Sequence, residues 1–346
     1  MSDVRASEPL RPAEALVRGR ELEAAGQFVE AIDMLTEANR RRPNAKIERY
    51  LVDLRHRGFM ATGSTIEQSQ WPGPAGDLFP ESIVPEVGRT QLDAPLVRSA
   101  VVNHGCLIVR GLLSDSQVTR LVTDIDRALV AAEAHMNGAP ASETAPWWVP
   151  FKPEAPYSVG GGRQWIWNQG SVWAVDSPRG LFDLIEIVRE IGLDRVIADY
   201  LGERPALSVK KCTLRRVPAD TGTNWHQDGA FLGQGIRTLN VWIALSPCGN
   251  DAPSLDVVPK RLNGIVETGT EGALFDWSVG EPVVERLLGG HEPVRPHFEA
   301  GDAMLFDDLF LHRTGVSPAM TQDRYTVEAW FFAPSTYPHD QIPIVV

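Results

Sequence analysis

Trp225-His226-Gln227-Asp228 is the first cluster in this chain of 346 residues with metal chemistry in it. Where the backbone is extended, residues i and i+2 face the same side, so the His226 imidazole and the Asp228 carboxylate can address one point. Together they supply two legs of a two-histidine, one-carboxylate facial triad. A metal held that way keeps open positions on its far face, which suits non-haem Fe(II). With eight histidines in the chain, one such pair is an ordinary coincidence; the weight comes from residues further along the chain. Gly301–Phe306 reads as a turn and a strand, and Leu309–Gly315 as a second strand carrying His312. Twelve residues beyond His312, Arg324 opens a strand that runs through Trp330. In an antiparallel barrel these last two strands can lie side by side, bringing Arg324 and Thr314 to one end of a cavity. A guanidinium beside a hydroxyl makes a fork for the distal carboxylate of a dicarboxylate. Asp307-Asp308 rivals Asp228 as a ligand source, although an acidic pair between strands reads first as a solvated turn.

Other residues of interest surround this set. Glu328 shares a strand face with Arg324, either in an ion pair or against a cationic substrate. Lys211, Thr213 and Arg215 alternate with Cys212, Leu214 and Arg216, so one triplet faces the cavity. Trp165 and Trp167 belong to a tryptophan-rich window, Trp147 to Trp173, next to Gly160-Gly161-Gly162. That window suits an aromatic lid that contacts substrate, or equally a segment packed over a barrel mouth. His291 and His297 are separated by Pro293 and Pro296, which argue against a second metal site on one strand.

These residues need elements to hold them. Residues 1–45 read as a helix from Ala13 to Ala25, a break at Gly26-Gln27, and a helix with Phe28, Ala31, Ile32, Leu35 and Ala38 on one stripe. Pro43 ends it. The spacing of Gly19, Leu22, Gly26, Phe28, Ala31, Leu35, Ala38 and Pro43 resembles a single tetratricopeptide unit. A lone unit cannot bury its own apolar face, so it docks in cis, makes a homodimer, or binds a protein partner. Residues 46–90 read as a linker or wrapping arm. From 91 to 346 the pattern is helices first (Val118 to Val130, Leu181 to Leu201), with a short apolar run at Val101–Arg110. Strands come next at Ser208–Val217, Leu239–Leu245, Leu255–Val258, Val294–Phe298, Ala303–Phe306 and Tyr325–Phe332. The class is mainly β with flanking helices, α+β, a barrel or sandwich buttressed on one side.

Taken together, these residues resemble the phytanoyl-CoA dioxygenase branch of the Fe(II)/2-oxoglutarate-dependent oxygenases. The resemblance covers the entry Gly105–Leu113, the stretch Gly222–Asp228, Asn240–Leu245, the Gly301–Gly315 block and Arg324. It implies a double-stranded β-helix, or jelly roll, over residues 91–346. It further implies Fe(II) on His226, Asp228 and His312, the C5 carboxylate of 2-oxoglutarate on Arg324 and Thr314, Trp242 beside that cosubstrate, and O₂ as oxidant. Related halogenases carry a small residue where Asp228 stands, so the resemblance implies a hydroxylase. After Val257-Val258-Pro259 the family often has Gly-Ser-His; here Lys260-Arg261-Leu262 stands instead, so the substrate loops do not carry over.

Composition sets the outer bounds. Lys and Arg number 33 against 45 Asp and Glu, a formal charge of −12, which argues against nucleic acid and anionic membrane as partners and leaves a small-molecule substrate. No apolar run has spanning length. Three cysteines without paired spacing fit a reducing cytoplasm. The alternatives to an enzyme are a non-catalytic metal-binding jelly roll, or a scaffold acting through residues 1–45.

Overall fold

The computed structural model describes residues 10–62, 71–233 and 235–346. It opens with three helices, α1 (Pro12–Ala24), α2 (Phe28–Arg41) and α3 (Ala45–Thr62). Pro12 sits in the first turn of α1, where its missing N–H costs nothing. The stripe of α2 is used within the chain. Ala31, Ile32 and Leu35 bury with Ala15 and Leu22 of α1 and with Ile47, Leu51 and Leu54 of α3. Gly19 is small for a reason: a Cβ there would meet Leu35 Cδ1 at 2.8 Å. The expectation of a linker from residue 46 therefore fails for its first third. Pro43 breaks the chain without ending helical structure, and Asn44 accepts from the backbone N–H groups of Lys46 and Ile47 to start α3.

Next come β1 (Glu86–Gly88), α4 (Ala94–His104), β2 (Cys106–Arg110), α5 (Asp115–Met136), α6 (Ala141–Thr144), α7 (Gly162–Asn168) and β3 (Ser171–Trp173). The Val101–Arg110 run is half helix: α4 continues to His104, and Gly105 at φ 92° turns the chain into β2. The remaining elements are α8 (Pro178–Glu190), α9 (Leu193–Leu201), β4 (Ala206–Val217), α10 (Gly229–Leu232), β5 (Thr238–Ala244), β6 (Ser254–Val257), α11 (Glu281–Leu288), β7 (Ala303–Phe306), β8 (His312–Gly315), β9 (Arg324–Phe332) and β10 (Pro343–Val345). Leu181–Leu201 is two helices rather than one, because Gly192 at φ 73° breaks it. Val294–Phe298 makes only the isolated bridges Val257↔Val294 and Cys248↔Phe298, as its prolines remove ladder donors.

The large sheet has the order β1-β2-β7-β5-β9-β4-β10, with β3 also on β4; β6 and β8 form a second sheet. All pairs are antiparallel except β1 with β2. The result is a jelly roll cased in helices, with 40% of the described residues helical, as the α+β class expects.

Strand alternation divides the two faces. Leu239, Val241 and Ile243 of β5, with Val327, Ala329 and Phe331 of β9, join the core shared with Leu121 and Ile125 of α5 and Leu184 and Val188 of α8. Their neighbours Trp242 and Ala244, Trp330 and Phe332 face inward against Leu255 and Val257 of β6. The inward row of β9 thus reads Arg324, Thr326, Glu328, Trp330, Phe332.

The helical unit braces the far edge of this sheet. His56 Nδ1 donates to the Pro343 carbonyl at 2.8 Å, and Arg55 donates to that of Val345 at 3.0 Å. Arg179 pairs with buried Glu48 at 2.6 Å, and Arg40 with Glu186. Among the described residues no helix is long and apolar enough to cross a membrane.

Candidate metal and cosubstrate site

His226 and His312 face each other as a bridged pair. Each backbone N–H donates to the other's carbonyl, at 2.9 and 3.1 Å. Each ring's Nδ1 donates to the carbonyl two residues upstream, His226 to Asn224 at 2.8 Å and His312 to Phe310 at 3.0 Å. A carbonyl only accepts, so both Nδ1 atoms carry the proton and both Nε2 lone pairs are left to a metal. Asp228 completes the set, with the three ligand atoms within 4.8 Å of one another. Its Oδ2 lies 3.8 Å from His312 Nε2.

Alternation holds through this segment although it is not a regular strand. His226 sits in an isolated bridge and Asp228 is the residue before α10, in helical conformation. Gln227 points the other way, donating to the Gly264 and Leu309 carbonyls and accepting from Val266 N–H. Burial, followed by neighbouring His226, pushes the His312 pKa down to about 4, so the ring is neutral near pH 7. For Asp228 burial opposes ionisation, but Lys211 and the two imidazoles outweigh it and hold the carboxyl below its ordinary range. Lys211 Nζ is 2.6 Å from Asp228 Oδ1.

Asp307 and Asp308 are not a solvated turn. Asp307 is buried and paired with Arg261; Asp308 is largely buried, its carboxyl pushed up to about 8 by burial and then by Asp307. The metal-ligand group contains neither.

Arg324 and Thr314 come from different sheets. β8 pairs with β6, and β9 with β4 and β5, so the side-by-side arrangement expected from sequence does not occur. The two sheets close on each other instead. Thr314 lies opposite Leu255 on β6, and Arg324 reaches the start of β6, with Nη1 at 3.4 Å from the Pro253 and Ser254 carbonyls. Its guanidinium stacks 5.3 Å from the Trp242 ring. Arg324 is fully buried, and its Nε and Nη2 have no partner. Burial, followed by Arg215, pulls its pKa down to about 9, which leaves it protonated at pH 7. No carboxylate among the described residues pairs with it. A buried cation with two unused donors fits an incoming carboxylate, and so fits 2-oxoglutarate.

His226, His312, Thr314 and Trp242 line one cavity of about 480 Å³. Glu328 and Trp165 line it too. Trp167 does not: it packs on the helix-side core, since positions two apart on α7 point to opposite faces. Lys211, Thr213 and Arg215 are the inward triplet, while Cys212 and Leu214 join the outer core. Glu328 is in an ion pair with Arg215 at 3.0 Å and Lys211 at 3.6 Å. Residues not foreseen are Asn240, Phe231, Phe275 and Trp277. Asn240 was legible as the inward neighbour of Trp242. Phe275 and Trp277 lie in a loop without periodicity, and nothing local marks them.

Residues 172–320, less than half of the chain, match the family model described as phytanoyl-CoA dioxygenase (PhyH), an Fe(II)/2-oxoglutarate-dependent family. The match holds the triad, Trp242 and Thr314 but ends before Arg324. No curated protein matches the chain. Among solved structures, AviO1 from Streptomyces viridochromogenes Tue57 is similar at 18% identity and TM-score 0.45, over 71% of this chain and 98% of that one. EctD from S. alaskensis with 2-oxoglutarate and 5-hydroxyectoine is similar at 17% and 0.48, over 67% and 73%. EctD from the same source with bound Fe is similar at 15% and 0.47, over 67% and 74%.

Proposed function

We propose that this Fe(II)/2-oxoglutarate oxygenase hydroxylates a C–H bond of a small-molecule metabolite, so that R–H, O₂ and 2-oxoglutarate become R–OH, succinate and CO₂. The observation that carries the reading is a His-Asp-His set together with a buried arginine whose donors are unanswered and which stacks on Trp242; His226, His312, Thr314 and Trp242 line one cavity.

In this reading His226, Asp228 and His312 hold Fe(II), and Arg324 with Thr314 holds the C5 carboxylate of 2-oxoglutarate beside Trp242. When bound, iron and cosubstrate together supply the oxidising chemistry with O₂. The chain's own residues supply geometry and charge. Two neutral imidazoles and one carboxylate leave the iron a net positive charge toward the chelating end of the cosubstrate, and Arg324 matches the far end. Trp242, Phe306 and Trp330 keep the inner wall apolar and exclude water. Asp228 fills with a carboxylate the position that a halide would need, which favours hydroxylation over halogenation.

One observation favours a rival. Lys211 already neutralises Asp228, as it would in a non-catalytic jelly roll. It occupies Oδ1, however, and leaves Oδ2 and both Nε2 atoms to a metal. Anaerobic Fe(II) titration decides between the two. The wild type should give a weak visible absorption only when 2-oxoglutarate is present, and His226→Ala should give none. Identical spectra for both proteins would sink the iron assignment. The N-terminal helices act here as a brace; a homodimer or partner contact through residues 1–45 would have to use exposed Leu10, Val17 and Val29. Three free, buried cysteines suit a cytoplasmic setting.

A further inference from the structure

The cavity wall carries more positive charge than the cosubstrate uses. β4 shifts register against β9 between Leu207 and Cys212. Such a bulge re-aims side chains, here turning two consecutive lysines, Lys210 and Lys211, toward the cavity with Arg215 further along. Regular alternation would have shown only one of the pair. Fe(II), Asp228, 2-oxoglutarate and Arg324 together balance to zero formal charge. Lys210 Nζ donates to the Asp340 carbonyl at 2.9 Å; Lys211 and Arg215 then face a single remaining acid, Glu328, which leaves the wall with one positive charge in excess. Thr213 Oγ1 and Asn240 Oδ1, on the same wall, are buried without a hydrogen-bond partner. Such groups are costly unless a ligand or water meets them. The other cations of this region are spent elsewhere: Arg216 on Asp323, Arg261 on Asp307, and Lys260 on the Leu287 carbonyl.

Adjoining the charged wall stands an aromatic mouth, with Lys211 Nζ 4.9 Å from the Phe231 ring. Phe275 and Trp277 stack with centroids 5.0 Å apart and planes 4° apart. Trp165 meets Phe275 edge-on at 6.1 Å, and Phe231 meets Trp277 edge-on at 5.8 Å. Trp165 is 50% exposed and Phe275 40%, so both rings leave apolar surface open to solvent. Together these partly exposed rings make an aromatic surface suited to a flat, apolar body.

We infer that the substrate has a flat ring body and one anionic group, with the ring against Trp165 and Phe275 and the carboxylate or phosphate on the Lys211–Arg215 wall. The inference rests on the oxygenase reading, which places the iron and cosubstrate in the cavity these rings line.

The test uses the full chain loaded with Mn(II) and 2-oxoglutarate, after uptake of both has been measured. Failure of uptake would count against the oxygenase reading alone. Calorimetric titration then compares 2-naphthoate, 2-naphthyl phosphate and neutral 2-naphthamide. At least one of the anions should bind ~10-fold tighter than the amide, and the stronger one identifies which anion the wall prefers. Arg215→Gln should reduce that preference and leave amide binding as it was, whereas Lys210→Gln, whose ammonium is spent on the Asp340 carbonyl, should keep it. Phe275→Ala should weaken all three probes by a similar factor. The inference is overturned if the amide binds as tightly as both anions. It is equally overturned if no probe binds below millimolar concentration, or if the preference survives in Arg215→Gln with an unchanged melting temperature.

Discussion

Arg237 and Arg324 are two buried arginines at adjacent strands, β5 and β9, and they live in different regions. Arg237 lies where the end of α9 meets the start of β5. There it donates to the Leu201 carbonyl at 2.7 Å and to Glu203 and Ser335, so the chain answers its charge with an acid of its own. Arg324, between the sheets, has two long contacts to carbonyls and two unused donors. A buried charge left unpaired costs several kcal/mol. Where a fold balances that charge internally, the residue is structural. Where it does not, the balance has to come from outside, and the place marks a ligand.

The strongest way to break this contrast is to remove one of the groups held ready for a ligand. His312→Ala should keep the fold, because its backbone bridge to His226 survives, yet reduce 2-oxoglutarate turnover to background. The loss should exceed the ~10–100-fold typical of removing a mere supporting partner. Succinate release with Fe(II) and ascorbate reads it, with a thermal melt alongside. Turnover within a few-fold of wild type would mean that the triad is not the metal site.

The arginines themselves give the second test. Arg237→Met takes the ion pair from Glu203, which keeps its hydrogen bonds from Ser335, and should cost about 3 kcal/mol of stability, read by urea denaturation. Arg324→Met strands nothing, since the residue has no acid partner among the described residues. Its stability should stay level or rise, while the half-saturating concentration of 2-oxoglutarate climbs. Charge-assisted bonds contribute roughly 1.5–3 kcal/mol, which corresponds to roughly 10–100-fold at ~1.4 kcal/mol per decade. Equal losses of stability in both variants would erase the distinction.

The same contrast explains what the sequence could reveal. The triad was legible because two of its members lie two apart and the third lies on a strand of its own, and inward alternation on β9 placed Arg324 and Glu328 together. What stayed hidden depends on events that leave no period. The third helix after Pro43 needed the side chain of Asn44, not a pattern. The meeting of Arg324 and Thr314 across two sheets, rather than along neighbouring strands, results from closure of the jelly roll. The pair of inward lysines results from a bulge, and Phe275 and Trp277 sit in a loop whose path tertiary contacts decide. Trp167 misled because tryptophan density says nothing about which side of a short helix faces the cavity.

A third buried charge stands between the two cases, and its test is the mildest. Asp124 of α5 and Asp183 of α8 meet in the helical casing beside Arg120 and Arg179, and burial, then mutual repulsion, raises the Asp124 carboxyl well above its ordinary range. No external ligand serves this pair; a retained proton does. Linkage gives the sign. Between the ordinary carboxylate pKa and the raised one, the folded chain holds a proton that the unfolded chain has lost, so stability falls as pH rises through that window. The contribution is complete below the ordinary range and is lost on the alkaline side. Asp124→Asn mimics the protonated acid and cannot titrate. Its stability should decline less than wild type's between pH 5 and 9, by roughly 1–3 kcal/mol at ~1.4 kcal/mol per pKa unit, measured by urea denaturation across that range. Parallel pH profiles would show that the arginines, not a proton, answer the pair, which would move it into the class of Arg237.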